Sequence, residues 1–283
     1  MYRTILVAVD GSDSGFNALR QALSLAKTQH GAIKVISVAP PHSGELSLVG
    51  VREHVNDMIV APHQKALDEA LKISEIYGVP VRTLLRIGEP SETIVDAAEE
   101  LNCKLIVVGV RGGNPARTIL MGSTAARVIG FSNTDVLAVP LGCELSLERA
   151  IVALDGSASS KTVMSRAFAL NRTYGLALSF LSVADIPSHL YGLDAKVAGE
   201  MINEARQVLE PVHKVAEKEN ITSDFLVREG KPGEIIVLTA KQKNSGIIII
   251  GSHGRTGMKR LLMGSVAERV IGNAPCPVLV VRS

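Results

Sequence analysis

Residues 109–123 read GVRGGNPARTILMGS, and residues 251–265 read GSHGRTGMKRLLMGS. Both segments follow one pattern: a glycine, two residues, a glycine, nine residues and then Gly-Ser. The two copies are offset by 142 residues, about half of the 283-residue chain. A repeat of that length predicts two whole domains rather than a solenoid of short units. Glycines that let backbone N–H groups approach a ligand, followed by a hydroxyl, also fit a phosphate-binding loop.

The repeat continues on both sides of the glycines. TILVAVDGS at 4–12 matches AIVALDGS at 150–157, RIGEPSETIV at 86–95 matches REGKPGEIIV at 228–237, and KLIVVGV at 104–110 matches GIIIIGS at 246–252. We therefore predict two domains, residues 1–143 and residues 144–283. The first half carries three extra residues between Ala39 and Gly88, where a surface connection tolerates them best.

Within each half, short apolar strands alternate with amphipathic helices. In the first half the strands are predicted at 4–10, 33–39, 80–87, 104–110 and 136–140. The first helix is expected to end at a Gly31 cap, and residues 40–62 are expected to be an irregular stretch that leads into a helix. Strands separated by helices predict right-handed crossovers and a parallel α/β sheet. Ligands bind such sheets beyond the carboxyl ends of the strands, where the strand order reverses.

The composition supports this class and excludes others. The chain is 46% hydrophobic but only 3% aromatic and has no Trp, which is typical of strands covered by helices on both faces. The net charge is +2 and no long basic run occurs, so we expect no nucleic-acid partner. No apolar run reaches the length of a membrane helix. Three scattered cysteines without a CxxC motif favour a reduced, cytoplasmic location.

Each glycine motif predicts an anion site. Its first two glycines lie in the turn after a strand, and its Gly-Ser pair opens a helix, so free N–H donors and the positive helix end meet at one point. A phosphate chain is the expected guest, and His253, inside the second motif, could contact it. The alternative is that the glycines only serve tight turns and the serines only cap helices.

Two aspartates and several histidines are further candidates. Asp10 and Asp155 each follow an apolar strand and could accept hydrogen bonds from a ribose or a base; the alternative is that they cap the following Gly-Ser turn. A metal site built from His42, His54 or His63 is open, although solvated surface histidines are commoner. We assign no metal ligand and no catalytic residue.

The motifs VAVDGS, ISVA and the glycine pattern, followed by a helix and a closing strand, resemble the universal stress protein family across the whole chain as a tandem pair. The resemblance implies two Rossmann-like, doubly wound α/β domains, each with a five-stranded parallel sheet of order 3-2-1-4-5. It also implies ATP, with Mg²⁺ as a companion ion, as the ligand. The implied phosphate contacts are Gly109, Gly112, Gly122, Ser123, Gly251, Gly254, Gly264 and Ser265, with Asp10 and Asp155 near the ribose and adenine and Val38 and Val183 at the adenine edge.

The two copies are not identical. Gly113-Asn114-Pro115 in the first motif replaces Arg255-Thr256-Gly257 in the second, which removes a cation and stiffens the loop. The second copy is therefore the stronger ATP-site prediction. Members of the family pair their fifth strands, so the resemblance also implies an internal pseudo-dimer of the two domains and allows a homodimer of the tandem chain.

These observations predict a cytoplasmic stress-response module whose binding state depends on ATP and which acts on an unknown protein partner. Two alternatives stay open. One is a weak ATPase or nucleotide phosphotransferase that uses Asp10 or Asp155 with Mg²⁺. The other is a scaffold for a protein or a small apolar ligand, with residues 40–62 and 185–194 as its variable surface.

Overall fold

The computed structural model describes residues 1–28, 31–41, 49–110, 122–187, 195–254 and 263–282. These residues cluster into two compact units. The N-terminal unit contains the described residues between Tyr2 and Gly142, and the C-terminal unit contains those from Cys143 onward. The exact domain boundary and the pairing of the two domains stay predictions.

The N-terminal unit alternates strands and helices as the sequence predicts. Its elements are β1 (Thr4–Ala8), α1 (Asp13–Lys27), β2 (Ala32–Ala39), α2 (Val49–Tyr77), β3 (Val81–Ile87), α3 (Pro90–Glu100), β4 (Leu105–Val110), α4 (Ser123–Phe131) and β5 (Asp135–Pro140). Parallel pairing joins the strands in the order β3-β2-β1-β4-β5. The central strand β1 is buried through Ile5, Leu6 and Val7, each with no exposed surface, which explains its unbroken apolar sequence.

The C-terminal unit repeats this architecture. Its elements are β6 (Arg149–Ala153), α5 (Ala158–Tyr174), β7 (Ala177–Ala184), α6 (Ala195–Lys218), β8 (Ser223–Glu229), α7 (Pro232–Gln242), β9 (Ile247–Gly251), α8 (Ser265–Asn273) and β10 (Val278–Val281). The strands pair in parallel in the order β8-β7-β6-β9-β10. The predicted parallel α/β fold with strand order 3-2-1-4-5 is therefore confirmed in each unit.

Right-handed crossovers explain where the helices lie. The chain moves from β1 outward to β3 in one direction and then from β4 to β5 in the other, so α1 and α2 cover one face and α3 and α4 cover the opposite face. Helix α1 contacts α2, and α3 contacts α4, in agreement with this arrangement. None of the described helices combines the length and the apolar character needed to cross a membrane.

Two predictions of local structure are wrong. Helix α1 ends at Lys27 with Thr28 as its C-cap, not at Gly31. The Thr28 hydroxyl donates to the carbonyl of Leu25 (2.7 Å), and the N–H of Gly31 donates to that of Ala26 (3.2 Å). The stretch 40–62 is not irregular throughout, since α2 begins at Val49 and continues through Pro62. A proline removes one helical hydrogen bond, but the buried turns that follow it keep this helix on the sheet. Residues 42–48 and 188–194 lie outside the described residues.

Gly109 is required by the packing of the N-terminal unit. A Cβ added there would lie 2.3 Å from the Ser14 carbonyl oxygen and 2.8 Å from the Gly15 nitrogen, both backbone atoms at the start of α1. Neither atom can rotate away as a flexible side chain would. The first glycine of this motif therefore lets α1 approach β4 closely, whatever else it does.

We predict that Gly109→Ala lowers the free energy of unfolding by about 2–3 kcal/mol, because the new methyl group overpacks two backbone segments. The matched control is Gly122→Ala in the same motif, where an added Cβ meets nothing within 4 Å and the cost stays below about 1 kcal/mol. Urea unfolding of both variants measures the difference. Equal midpoints would contradict the packing role assigned to Gly109.

Candidate functional site

A cavity of about 370 Å³ opens at the carboxyl ends of the central strands of the C-terminal unit. It lies where the strand order reverses, between β6 and β9, which is the expected ligand position in such a sheet. Its volume is within the range of small-molecule sites. The cavity brings together every residue that the sequence predicted for this unit: Asp155, Val183, Gly251, His253, Gly254, Gly264 and Ser265.

Asp155 is held in place by the turn that follows β6. Its Oδ1 accepts hydrogen bonds from the Ser157 backbone N–H (2.9 Å) and from the Ser160 hydroxyl (3.0 Å). The same hydroxyl oxygen accepts from the N–H groups of Asp155 and Gly156 (3.3 and 3.1 Å). One carboxylate oxygen thus performs the turn-capping role, and the second oxygen, Oδ2, lies next to Gly254.

The loop after β9 is held against the start of α5. The Ser159 hydroxyl donates to the carbonyl of His253 (3.1 Å). A Cβ on Gly251 would lie 2.8 Å from the Ser159 hydroxyl oxygen, and a Cβ on Gly254 would lie 2.8 Å from Asp155 Oδ2. Glycine at both positions therefore allows the loop to approach the aspartate closely, and residues 251–254 line the cavity.

Helix α8 begins at the same wall. Its N-cap is Gly264, whose N–H donates to the Ser252 carbonyl (3.0 Å) and so is already used inside the protein. The first turn of an α-helix leaves N–H groups without a partner in the helix, and the first-turn residues Ser265, Val266 and Ala267 all line the cavity. The positive end of the helix dipole points to the same place. This wall is suited to an anion.

A second part of the cavity wall is mostly apolar. It comes from the end of β7 and from α6, through Val183, Ala184, Met201 and Ala205, and from α7, through Ile236. The exposed carboxylates Asp185 and Glu204 belong to the same elements and line the rim. No Lys or Arg occurs among the described residues that line the cavity. Arg255, the cation that the second motif has and the first lacks, lies outside the described residues.

The described residues that were predicted for the N-terminal unit lie at the ends of its strands and at the start of α4. Asp10 Oδ1 accepts from the backbone N–H (3.0 Å) and the hydroxyl (2.5 Å) of Ser12. Gly122 is the N-cap of α4, and Ser123 is its first residue. Val38 lies near the end of β2 and is buried. Gly112 lies outside the described residues.

His63, on α2, is an additional group near this crevice. Its Nδ1 lies 2.9 Å from the hydroxyl oxygen of Ser37, a buried residue of β2. Burial lowers the pKa of His63, and the negative charge of Asp10 opposes this effect in part. No group of three or more His, Cys, Asp or Glu side chains able to hold a metal ion occurs in the described parts of the chain. The side chains of His42 and His54 are not among those described.

Sequence reasoning missed the side chains that support the motif. Ser159 and Ser160 follow Asp155 within the run DGSASS. This cluster of hydroxyl side chains was the feature of the sequence that could have indicated their role. Met201 and Ala205 are four residues apart and so face the same side of α6. Helical spacing of this kind indicates a buried face, but it cannot show that the face lines a cavity.

Comparison with known proteins gives a consistent result over both units. The family model described as "Universal stress protein family" matches residues 1–140 and again residues 147–282. A universal stress protein from Mycolicibacterium smegmatis is 26% identical over 98% of this chain and 96% of its own length. One from Methanocaldococcus jannaschii is 35% identical over 48% of this chain and 82% of its own length.

A crystal structure of a universal stress protein from Archaeoglobus fulgidus aligns with 100% of this chain and 99% of its own chain. The TM-score is 0.78 and the sequence identity is 23%, so this likeness shows a shared fold.

We predict that Ser160→Ala lowers the free energy of unfolding by about 1–2 kcal/mol, because it removes a donor to Asp155 and leaves two backbone N–H groups without their acceptor. The control is Ser165→Ala on the same helix, whose exposed hydroxyl donates to the Lys161 carbonyl (2.9 Å) and whose loss should change stability by less than about 0.5 kcal/mol. Urea unfolding of the two variants is the measurement. If Ser160→Ala proves as neutral as the control, Ser160 does not hold the Asp155 turn.

Proposed function

This chain belongs to the universal stress protein family, and we propose that it is a stress-response binding protein whose C-terminal unit binds ATP. One observation carries the proposal: a single cavity is lined by all seven residues predicted for that unit. The cavity joins three kinds of surface that a nucleoside phosphate needs. These are an apolar wall, a carboxylate and a wall of backbone N–H groups at a helix N-terminus.

The ligand's orientation follows from these surfaces. The triphosphate would lie at the glycine loop and the first turn of α8, where N–H groups and the helix dipole offset its charge. The ribose would lie beside Asp155, and the base would pack between the end of β7 and α6. That the base is adenine rests on the resemblance of Val183 and its neighbours to the ATP-binding branch of the family. Mg²⁺ would enter bound to the phosphates.

The glycine of each motif's Gly-Ser pair supports the proposal of a ligand. A Cβ on Gly264 would have contacts no closer than 3.4 Å, and one on Gly122 would meet nothing within 4 Å. Both glycines have negative φ, at −68° and −53°, which any residue can adopt. Neither packing nor backbone geometry of the described residues therefore requires glycine there. Close approach of a ligand to the backbone is a physical reason that does.

We propose binding rather than turnover as the primary role. Hydrolysis needs a group that orients water at the terminal phosphate. The rim carboxylates Asp185 and Glu204 belong to the elements of the apolar wall, and Asp155 Oδ1 is engaged by its own turn. In this proposal ATP sets the state of the module for a protein partner.

The deciding experiment is mass spectrometry of the small molecules released when the purified full chain is denatured. We expect adenine nucleotide at a defined ratio to protein. A second arm adds ATP, ADP, AMP, cyclic AMP and GTP separately to nucleotide-free protein and records the melting temperature. No released nucleotide and no shift with any of them would reject the proposal.

We predict that Gly264→Val loses the rise in melting temperature that ATP gives to the wild-type protein. The branched side chain blocks approach of the phosphates to the first turn of α8, while its Cβ has room in the fold. The stabilisation by a ligand is RT ln(1 + [L]/Kd), so a weaker affinity reduces the shift directly. Gly122→Val in the N-terminal unit is the matched control and should keep the shift. A full shift in Gly264→Val would make the site assignment wrong.

A further inference from the structure

The helices α2 and α6 can be matched residue by residue through the hydrogen bonds at their ends. The N–H of Val79 donates to the carbonyl of Ser74 (3.2 Å), and the N–H of Ile221 donates to that of Ala216 (2.9 Å). Ala216 lies 142 residues after Ser74, and Ile221 lies 142 residues after Val79. The first residues of β3 and β8, Val81 and Ser223, show the same offset.

A second contact gives the same registration. A Cβ on Gly11 would lie 3.7 Å from the Cβ of Ala66. In the C-terminal unit, Gly156 is the counterpart of Gly11, and it lines a groove together with Val208. Val208 lies 142 residues after Ala66, which agrees with the register found at the ends of the two helices.

This registration places His63 where the C-terminal unit has Ala205. Ala205 and Ser182 both line the ATP cavity. In the N-terminal unit the counterpart of Ser182 is Ser37, and the His63 ring reaches it with Nδ1 2.9 Å from the hydroxyl oxygen. The imidazole thus occupies the space between two positions that face the cavity in the other unit.

The ring is fixed there by a defined hydrogen-bond chain. The Ser37 hydroxyl has one proton and donates it to the Val9 carbonyl (2.7 Å), which can only accept. Nδ1 of His63 must therefore carry the proton that it shares with Ser37. Burial lowers the pKa of His63 and so favours the neutral ring, in which the Nδ1–H group is the donor to Ser37. A side chain held at one end by its helix and at the other by a buried hydroxyl is not free to swing aside.

We infer that His63 closes the base side of the N-terminal crevice, so that each chain binds one nucleotide, in the C-terminal unit. The inference rests on the function proposed for that unit. Replacing the ring by a methyl group recreates the Ala205–Ser182 surface, and it leaves the Ser37–Val9 hydrogen bond in place. His63→Ala should therefore open a second nucleotide site.

The test is the stoichiometry of ATP binding to the full chain, measured by isothermal titration calorimetry on nucleotide-free protein. We expect one ATP per chain for the wild type and two for His63→Ala. The double variant His63→Ala with Gly264→Val should bind one, now in the N-terminal unit. Gln64→Ala, an exposed neighbour on α2 that bonds Asp68, is the matched control and should keep one.

The outcomes separate the two proposals. Two ATP per wild-type chain would overturn the role of His63 and leave the proposed function standing. One ATP in both the wild type and a folded His63→Ala, judged by circular dichroism, would also overturn it. No ATP bound by the wild type would overturn the proposed function and this inference together.

Discussion

The reversal of strand order beside the central strand is the constraint on which the rest of each unit depends. From β6 the chain moves outward in one direction to β8 and then returns to continue on the other side with β9 and β10. Because the crossovers are right-handed, the helices that lead outward to β8 lie on one face of the sheet, and those that lead to β9 and β10 lie on the opposite face. The backbones that leave β6 and β9 must then separate, and the gap between them is the cavity at Asp155. The topology therefore accounts for the gap, and the hydrogen bonds of the turn after β6 and the glycines of the loop after β9 determine its shape.

The glycines of the repeated motif divide into two groups that the sequence could not distinguish. Gly109 is required by the protein itself, since a Cβ there would overlap backbone atoms at the start of α1. A Cβ on Gly251 or Gly254 would lie 2.8 Å from a side-chain oxygen, which would have to move. Gly122 and Gly264 have room for a side chain. The motif therefore combines residues that close the fold with glycines that the packing of the described residues does not require. This is why a single copy is ambiguous and why geometry was needed to separate the two roles.

Much of the fold could be predicted because it depends on local signals. The buried strands read as unbroken apolar runs, and Pro90 and Pro232 stand in the first turn of their helices. The first part of α2 was not predicted, because a proline is typical of a helix boundary and Pro62 lies inside this helix. The contact of His63 with Ser37 was out of reach for another reason: it joins residues 26 positions apart on different elements. Only the register of α2 against β2 places them together, and no local pattern encodes that register.

The two units show how a duplicated fold can diverge at a site while both copies of the core persist. Position 63 and its counterpart 205 lie on the helix that packs on the second and third strands of each unit, and a buried serine of the second strand, Ser37 or Ser182, is present in both units. A histidine there buries a polar ring, which is unfavourable unless the ring is hydrogen-bonded. Ser37 supplies that bond, and the equivalent Ser182 is present in the unit that carries alanine. The serine makes either residue compatible with the same fold. The choice between histidine and alanine therefore changes the space at the crevice, and this is how we propose that two copies of one architecture come to differ in what they bind.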